Sequence, residues 1–392
     1  MKKIVFTEEF CRPENLFPFT LTRQIQDIRV GIFTIREKWE RVLGLPSFDK
    51  QEGDYKDLDR AINLEETIGD DVVYLIHGNI LPTPKLVKAI KKLKPGECIS
   101  IPNRENSVYC ISAKQVRGEN KIAIEKAVEL EKDLKEIQYP WDITALAAWA
   151  IEKDVALLKS AQKWKPLSRT NKTINANNIF IEKGAQVEHC FINASAGPVY
   201  IGKNAVVMEG CMLRGPVAIC DAAVVKMGTR LYGGTTIGPH CTAGGEIKNS
   251  VLFEYSNKAH DGYLGDSVIG AWCNLGAGTS NSNVKNSAGD VHVYTRNGLV
   301  NAGLKCGVLM GDYSRTAINT SINTGSVIGV CCNVFGAGLT PKYIPSFSWG
   351  ADGVQRYQFD KALAHIDNWK ALKKEQRSPA ETSVLKHIFD HY

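Results

Sequence analysis

Residues 201–248 read IGKNAVVMEGCMLRGPVAICDAAVVKMGTRLYGGTTIGPHCTAGGEIK, and they keep a six-residue beat. Aliphatic side chains stand at Ile201, Val207, Leu213, Ile219, Val225, Leu231 and Ile237, with Ala243 in the next slot. Four places after each comes a second set: Ala205, Cys211, Val217, Ala223, Thr229, Thr235, Cys241 and Ile247, mostly small. A period of six belongs neither to a 3.6-residue helix nor to a simple two-residue strand, so it announces a repeat architecture. The pattern predicts a parallel β-helix: six residues make one flat side and a corner, three sides make a coil, and coils stack about 4.8 Å apart. The aliphatic position points inward, and the fourth-on position must be small because the triangular interior narrows there. The beat returns at Ile269 and Leu275, and again at Met310, Thr316, Ile322, Ile328 and Val334.

Outward from this stretch, the first 160 or so residues lack the beat and alternate strand and helix patterns. Asp70-Asp71 precedes the apolar run Val72–Ile76, expected to be a buried parallel strand. Thr83-Pro84 opens a helix with Leu86, Val87, Ile90 and Leu93 on one face and five lysines on the other, a solvated face. Further helices are expected over 120–137 and 143–161. The expected organisation is an α/β domain over 1–161, a polar linker over 162–178, the β-helix over 179–345 and capping helices over 346–392. Val284 to Leu299 reads as a projecting loop. Phe347, Trp349 and Tyr357 are placed to cap the last coil.

A net charge of +6, scattered along the chain, argues against a nucleic-acid partner and suits small phosphorylated molecules. No apolar run approaches the length of a membrane span, and Met1-Lys2-Lys3 leads into strand-like Ile4–Phe6 rather than a signal peptide. Of the eleven cysteines, Cys211, Cys241, Cys273 and Cys332 fall in the small slot, where Cys acts as a small hydrophobe; the odd count and the absence of a C-x-x-C pair point to reduced thiols, a cytoplasmic setting and no zinc.

The beat fails between Glu246 and Val268, where the chain reads Asn257-Lys258-Ala259-His260-Asp261-Gly262-Tyr263-Leu264-Gly265-Asp266, followed by Asn274-Leu275-Gly276-Ala277-Gly278-Thr279 and Asn281-Ser282-Asn283. This resembles the acyltransferase half of the bifunctional N-acetylglucosamine-1-phosphate uridyltransferase/glucosamine-1-phosphate acetyltransferase family, which carries Lys-Ala-Gly-His, Tyr-Leu-Gly-Asp and Asn-x-Gly-Ala-Gly-Thr in that order. The whole chain resembles a diverged, Bacteroides-type variant with a shortened first domain. The resemblance implies a left-handed β-helix and a homotrimer with sites at its seams, with a sugar phosphate and acetyl-CoA as substrates. It implies His260 as general base, Lys258 and Tyr263 on the sugar phosphate, and Asn274 and Asn283 on the sugar. Arg230 stands in for a family arginine that falls nearest Tyr232. An imidazole suits deprotonation of an attacking amine near neutral pH. The plainer readings are that Asn274 and Asn283 are stacking amides and that Asp261 and Asp266 are turn residues.

Leu16-Phe17-Pro18-Phe19-Thr20 through Arg23, with Asp27 to Gly31 after it, resembles a sugar-1-phosphate nucleotidyltransferase. That family implies a nucleoside triphosphate and Mg2+ in the N-terminal domain. Its glycine-rich turn is replaced here by Phe10-Cys11-Arg12-Pro13-Glu14, and its metal-holding Asp by Asn79. Arg12, Arg23 and Arg29 are then the candidates for phosphate, against the alternative of surface ion pairs. Two other functions remain open: nucleotidyl transfer with the β-helix as a trimerisation stem, and a non-catalytic sugar-nucleotide-binding scaffold.

Overall fold

The computed structural model describes residues 2–9, 11–50, 60–64, 71–101, 107–117, 121–130, 134–159 and 163–392. The expectations that fall on Phe10, Asp70, Asn120, Ala161 and Gln162 lie outside the described residues. The chain divides into two compact units. The first comprises residues 1–13, 23–28 and 33–138; the second comprises 14–22, 29–32 and 139–392.

The first unit is built on a seven-stranded sheet. At its middle Val72–His77 runs parallel to Lys2–Thr7 and antiparallel to Val108–Ile111, so the sheet is mixed rather than purely parallel. The Pro84–Ile90 helix is present, with Thr83 as its N-cap and Leu86 and Ile90 buried. The helix expected over 120–137 is not; Lys121–Ile122, Lys126–Glu129 and Lys135–Glu136 are strands. The reason is legible in the residues themselves. Ile122, Ile124, Val128 and Leu130 recur at even spacing, the period of a strand. Ile122 and Ile124 pack on the core of Val5, Val73, Leu75 and Ile111, and Lys126–Glu129 pairs in parallel with Glu97–Ser100.

The second unit is a left-handed parallel β-helix, a prism with three sides. Its first side stacks Lys172–Ile174, Phe191–Asn193, Met212–Arg214, Arg230–Leu231, Glu246–Lys248 and Tyr263–Gly265. The second side has nine strands, from Ile179–Ile181 to Tyr343–Ile344. The third runs from Gln186–Val187 to Asn257–Lys258 and resumes at Arg315–Thr316. The aliphatic beat forms the interior: Ile201, Val207, Leu213, Ile219, Val225, Leu231, Ile237 and Ala243 are all buried in one apolar core. The small slots Ala205, Cys211, Ala223 and Cys241 close the same core.

The apparent failure of the beat after Glu246 is a change in coil length, not a gap in the prism. Leu231 stacks on Ile247 and Ile237 on Leu252, so Ile247 takes the inward aliphatic slot instead of the small one. Stacking continues from Ile247 to Leu264 and from Leu252 to Ile269. The turns shorten at corners, which hydrophobic periodicity does not record.

The Pro140–Lys159 helix belongs with the prism and lies along the second side, against Val217–Ile219, Thr235–Ile237, Val251–Leu252 and Val268–Ile269. Asp154, buried in this helix, accepts a hydrogen bond from the Ile32 amide at 2.8 Å. The stretch expected to be a loop over 284–299 contains a hairpin, His292–Thr295 with Gly298–Asn301, held by Tyr294 stacked on Tyr343 at 4.0 Å. The end of the prism is capped by Phe347, Tyr357, Ile366, Leu385 and Ile388, the last three from the Phe359–Leu372 and Pro379–His391 helices.

Candidate active site

The corner where the third side turns into the first carries His260. Asn257–Lys258 ends the third side, Tyr263–Gly265 begins the first, and residues 259–262 make the corner between them. His260 is exposed there. The turn rests directly on Gly244 of the coil beneath, where a Cβ would stand 2.4 Å from the Ala259 carbonyl oxygen. A side chain at 244 would lift the corner off the prism.

Tyr263 lies flat along its own strand. Its phenol passes over Gly265, where a Cβ would meet Oη at 2.2 Å, and accepts from Asn283 Nδ2 at 3.2 Å. The same amide donates to Asp266 Oδ2, and Asp266 Oδ1 accepts from Asn249 Nδ2 at 2.7 Å. Burial raises the Tyr263 phenol above its ordinary value, and the Asp266 carboxylate adds to that, so it stays a neutral hydroxyl. Asp266 is thus more than a turn residue: it aligns Asn283 and, through it, the phenol.

On the first side, register places Lys248 level with Gly265 and Glu246 level with Tyr263. Lys248 is exposed and is the cation nearest in register to the phenol, a residue the motif comparison passed over. The signal that finds it is stacking: residues one coil apart on the same side face the same solvent. Arg230 lies one coil further back, paired to Glu246 at 3.4 Å.

The other expected residues are placed differently. Lys258 is 1% exposed, and its ammonium points into the prism. It donates to the carbonyls of Gly244, His260 and Asp261 rather than facing a ligand. Burial pulls it down to about 8, while the Asp261 carboxylate works the other way. Asn274 sits on the third side, bridged between Asn257 and Arg315, so the corner of His260 separates it from Tyr263 and Asn283.

In the first unit, the carboxyl ends of parallel strands are where an α/β sheet ordinarily receives a ligand. Here that edge is occupied by the chain's own polar residues. Arg36 makes a bidentate pair with Asp27 through Nε and Nη2 at 2.6 and 2.9 Å, its Nη2 also donates to both Asp49 oxygens at 2.7 and 2.8 Å, and Gln26 Nε2 donates to Asp49 at 2.7 Å. Gly78 lies so close to Gln26 that a Cβ would meet Oε1 at 2.4 Å. Where the glycine turn would be, the Glu8 carboxylate accepts from the Ile25 amide and Glu9 pairs with Lys50. Arg12 is exposed and Arg23 half-buried, whereas Arg29, in the second unit, is buried with its guanidinium on the Ile32 carbonyl. Asn79 has its amide on the Ile137 carbonyl and accepts from the Cys11 thiol. Among the described residues no cluster of three or more His, Cys, Asp or Glu is placed to hold a metal ion, and Asn79 offers an amide where the resemblance implies a carboxylate for Mg2+.

Residues 4–163 match the family described as sugar nucleotidyl transferase. The bifunctional protein GlmU of Methanococcus maripaludis is 29% identical over 265 residues, covering 62% of this chain and 58% of that protein. GlmU of Synechococcus elongatus is 27% identical over 191 residues, 47% of this chain and 37% of that one. A bifunctional sugar-1-phosphate nucleotidylyltransferase/acetyltransferase of Sulfurisphaera tokodaii is 36% identical over 91 residues, 23% of each chain. This chain therefore spans 58% of the length of the Methanococcus relative. Among the described residues no helix is long and apolar enough to cross a membrane.

Proposed function

We propose, for a chain that belongs to the GlmU-type family of bifunctional sugar-phosphate transferases, that its β-helix moves an acyl group from a thioester such as acetyl-CoA to the amine of an amino-sugar phosphate. The observation that carries this reading is an exposed imidazole at a prism corner, flanked by a phenol that two amides and a carboxylate hold in place. His260 takes a proton from the amine as its nitrogen attacks the thioester carbonyl. The tetrahedral oxyanion collapses to the amide, and the thiolate leaves and is protonated. A thioester is already activated, so no covalent enzyme intermediate is needed; the work is base catalysis and positioning. Lys248, Tyr263 and Asn283 receive the sugar phosphate on the first side, with Arg230 beyond. Asn274, on the far flank of the imidazole, faces the acyl donor's side of the corner. Ile318 and Phe335, exposed at the same corner in later coils, offer the donor's arm an apolar lane.

The site is completed in this reading by further copies of the chain, as a homotrimer. The second side is covered by the Pro140–Lys159 helix. The first side instead exposes Ile174, Phe191 and Met212, at 58, 55 and 51%. Such a stripe on a flat face is what a partner covers. Eleven cysteines without a disulfide among them fit a reducing, cytoplasmic compartment. The test is release of free thiol from acetyl-CoA with glucosamine-1-phosphate. Release that needs His260 supports the reading; no release with any amino-sugar phosphate, or release that survives His260→Ala, ends it.

A further inference from the structure

We propose that Lys258 is a positioning residue, an ammonium sealed inside the prism that draws the carbonyls of its own corner inward and thereby fixes the direction in which the His260 imidazole leaves the turn. The inference rests on the acyl-transfer reading and gives that site a part which faces no substrate.

The position is an anomaly of the apolar column. Register runs Val207 to Val225, Val225 to Ala243, and Ala243 to Lys258, so Lys258 fills a slot that takes a hydrophobic side chain in the coils below. Burying an ion costs several kcal/mol unless hydrogen bonds offset it, and an apolar side chain of similar volume would cost nothing. No carboxylate lies within ion-pair distance of the ammonium among the described residues; its three acceptors are backbone carbonyls. One, Gly244 at 3.5 Å, belongs to the coil beneath, while His260 at 2.5 Å and Asp261 at 3.2 Å belong to the corner itself. The ammonium therefore ties two successive peptide planes to the prism floor. With those planes fixed, the Cα–Cβ bond of His260 has one direction, outward. Ala243, the smallest residue in its column, leaves the space in which the long side chain bends toward the corner. With a pKa of about 8, Lys258 keeps its proton at neutral pH, so all three donors remain.

The experiment is Lys258→Met, which keeps the apolar stem and removes the donors. Amide hydrogen exchange over 259–263 is expected to quicken about tenfold or more, while the strands on either side stay protected. Acyl transfer should lose about 100-fold in kcat with KM for the sugar phosphate nearly unchanged, the pattern of a misplaced base rather than a lost ligand contact. Unchanged exchange at the corner overturns the proposal, and so does exchange raised equally along the whole prism. A raised KM with kcat intact also overturns it, since that marks a substrate contact. Should Lys258→Met not fold, Lys258→Gln is subjected to the same exchange measurement, where quickening confined to the corner supports the proposal and unchanged or uniform exchange overturns it. His260→Ala is assayed alongside: if acyl transfer survives it, the acyl-transfer reading falls, while corner exchange in Lys258→Met still decides this inference.

Discussion

The two units treat buried charge in opposite ways. In the first, Arg36, Asp27, Asp49 and the Gln26 amide nitrogen bond one another at the strand ends where a ligand would otherwise enter, while Gln26 Oε1 is buried without a partner among the described residues. In the prism, the buried Lys258 ammonium turns to backbone carbonyls, and the imidazole above it is left exposed. Charges paired within their own unit stabilise a fold, whereas an exposed group at a shaped corner is available for chemistry. The family resemblance runs through both units, and the exposed imidazole lies in the second.

That contrast can be broken in several ways. The largest effect expected is on catalysis: His260→Ala should cut thiol release by about 10²–10⁴-fold, with the melting temperature unmoved, read by a thiol-reactive dye. Next comes Asp49→Ala, which leaves the Arg36 guanidinium buried beside one fewer carboxylate. It should destabilise the first unit by about 3–5 kcal/mol in denaturant melts while acyl transfer persists. Loss of acyl transfer in Asp49→Ala would mean the two units do not act separately. Ile237→Ala in the prism core should cost about 2–5 kcal/mol, read from the shift in the denaturant midpoint.

A pH effect sharpens the contrast further. The unfolded chain holds the Lys258 proton up to about 10.4, while the folded chain gives it up near 8. Between those values the unfolded state binds more protons, so this residue makes stability rise with pH, by at most about 3 kcal/mol. Denaturant midpoints across that window should show the slope, and Lys258→Met should lose it. Smallest is Tyr263→Phe, which removes one hydrogen bond from the Asn283 amide: about tenfold in KM for the sugar phosphate is expected, with kcat nearly intact. In the first unit, no pyrophosphate release from a nucleoside triphosphate, a sugar-1-phosphate and Mg2+ is expected, because Gln26 and two glutamates stand where phosphates would bind. Release above background would overturn the idea of a closed edge.

Hydrophobic periodicity carried the prism because every inward slot obeys the same steric rule, coil after coil, and the rule needs only neighbours six residues apart. It did not carry the coil shortened at Gly244-Gly245, since two residues dropped from a corner shift the beat without disturbing the stack. Nor did it carry Lys258. A lysine beside a histidine reads as a surface cation until register shows that its slot faces inward. Lys248 was invisible for the matching reason: it stacks on Gly265 one coil away, beneath the Tyr263 phenol, with no motif linking them. The strands at Ile122–Leu130 were legible and were outweighed by charge patterning that also suits a helix.

By itself, then, the order of residues determined that this chain builds a six-beat prism after an α/β domain, and it determined that His260 and Tyr263 fall together at an irregular corner. Those facts are local, set by period and by spacing along the chain. Which cations face solvent, which carboxylate aligns the phenol and which strand ends are filled were decided only by tertiary structure. Each depends on the neighbour that lies one coil, or one strand, away in space.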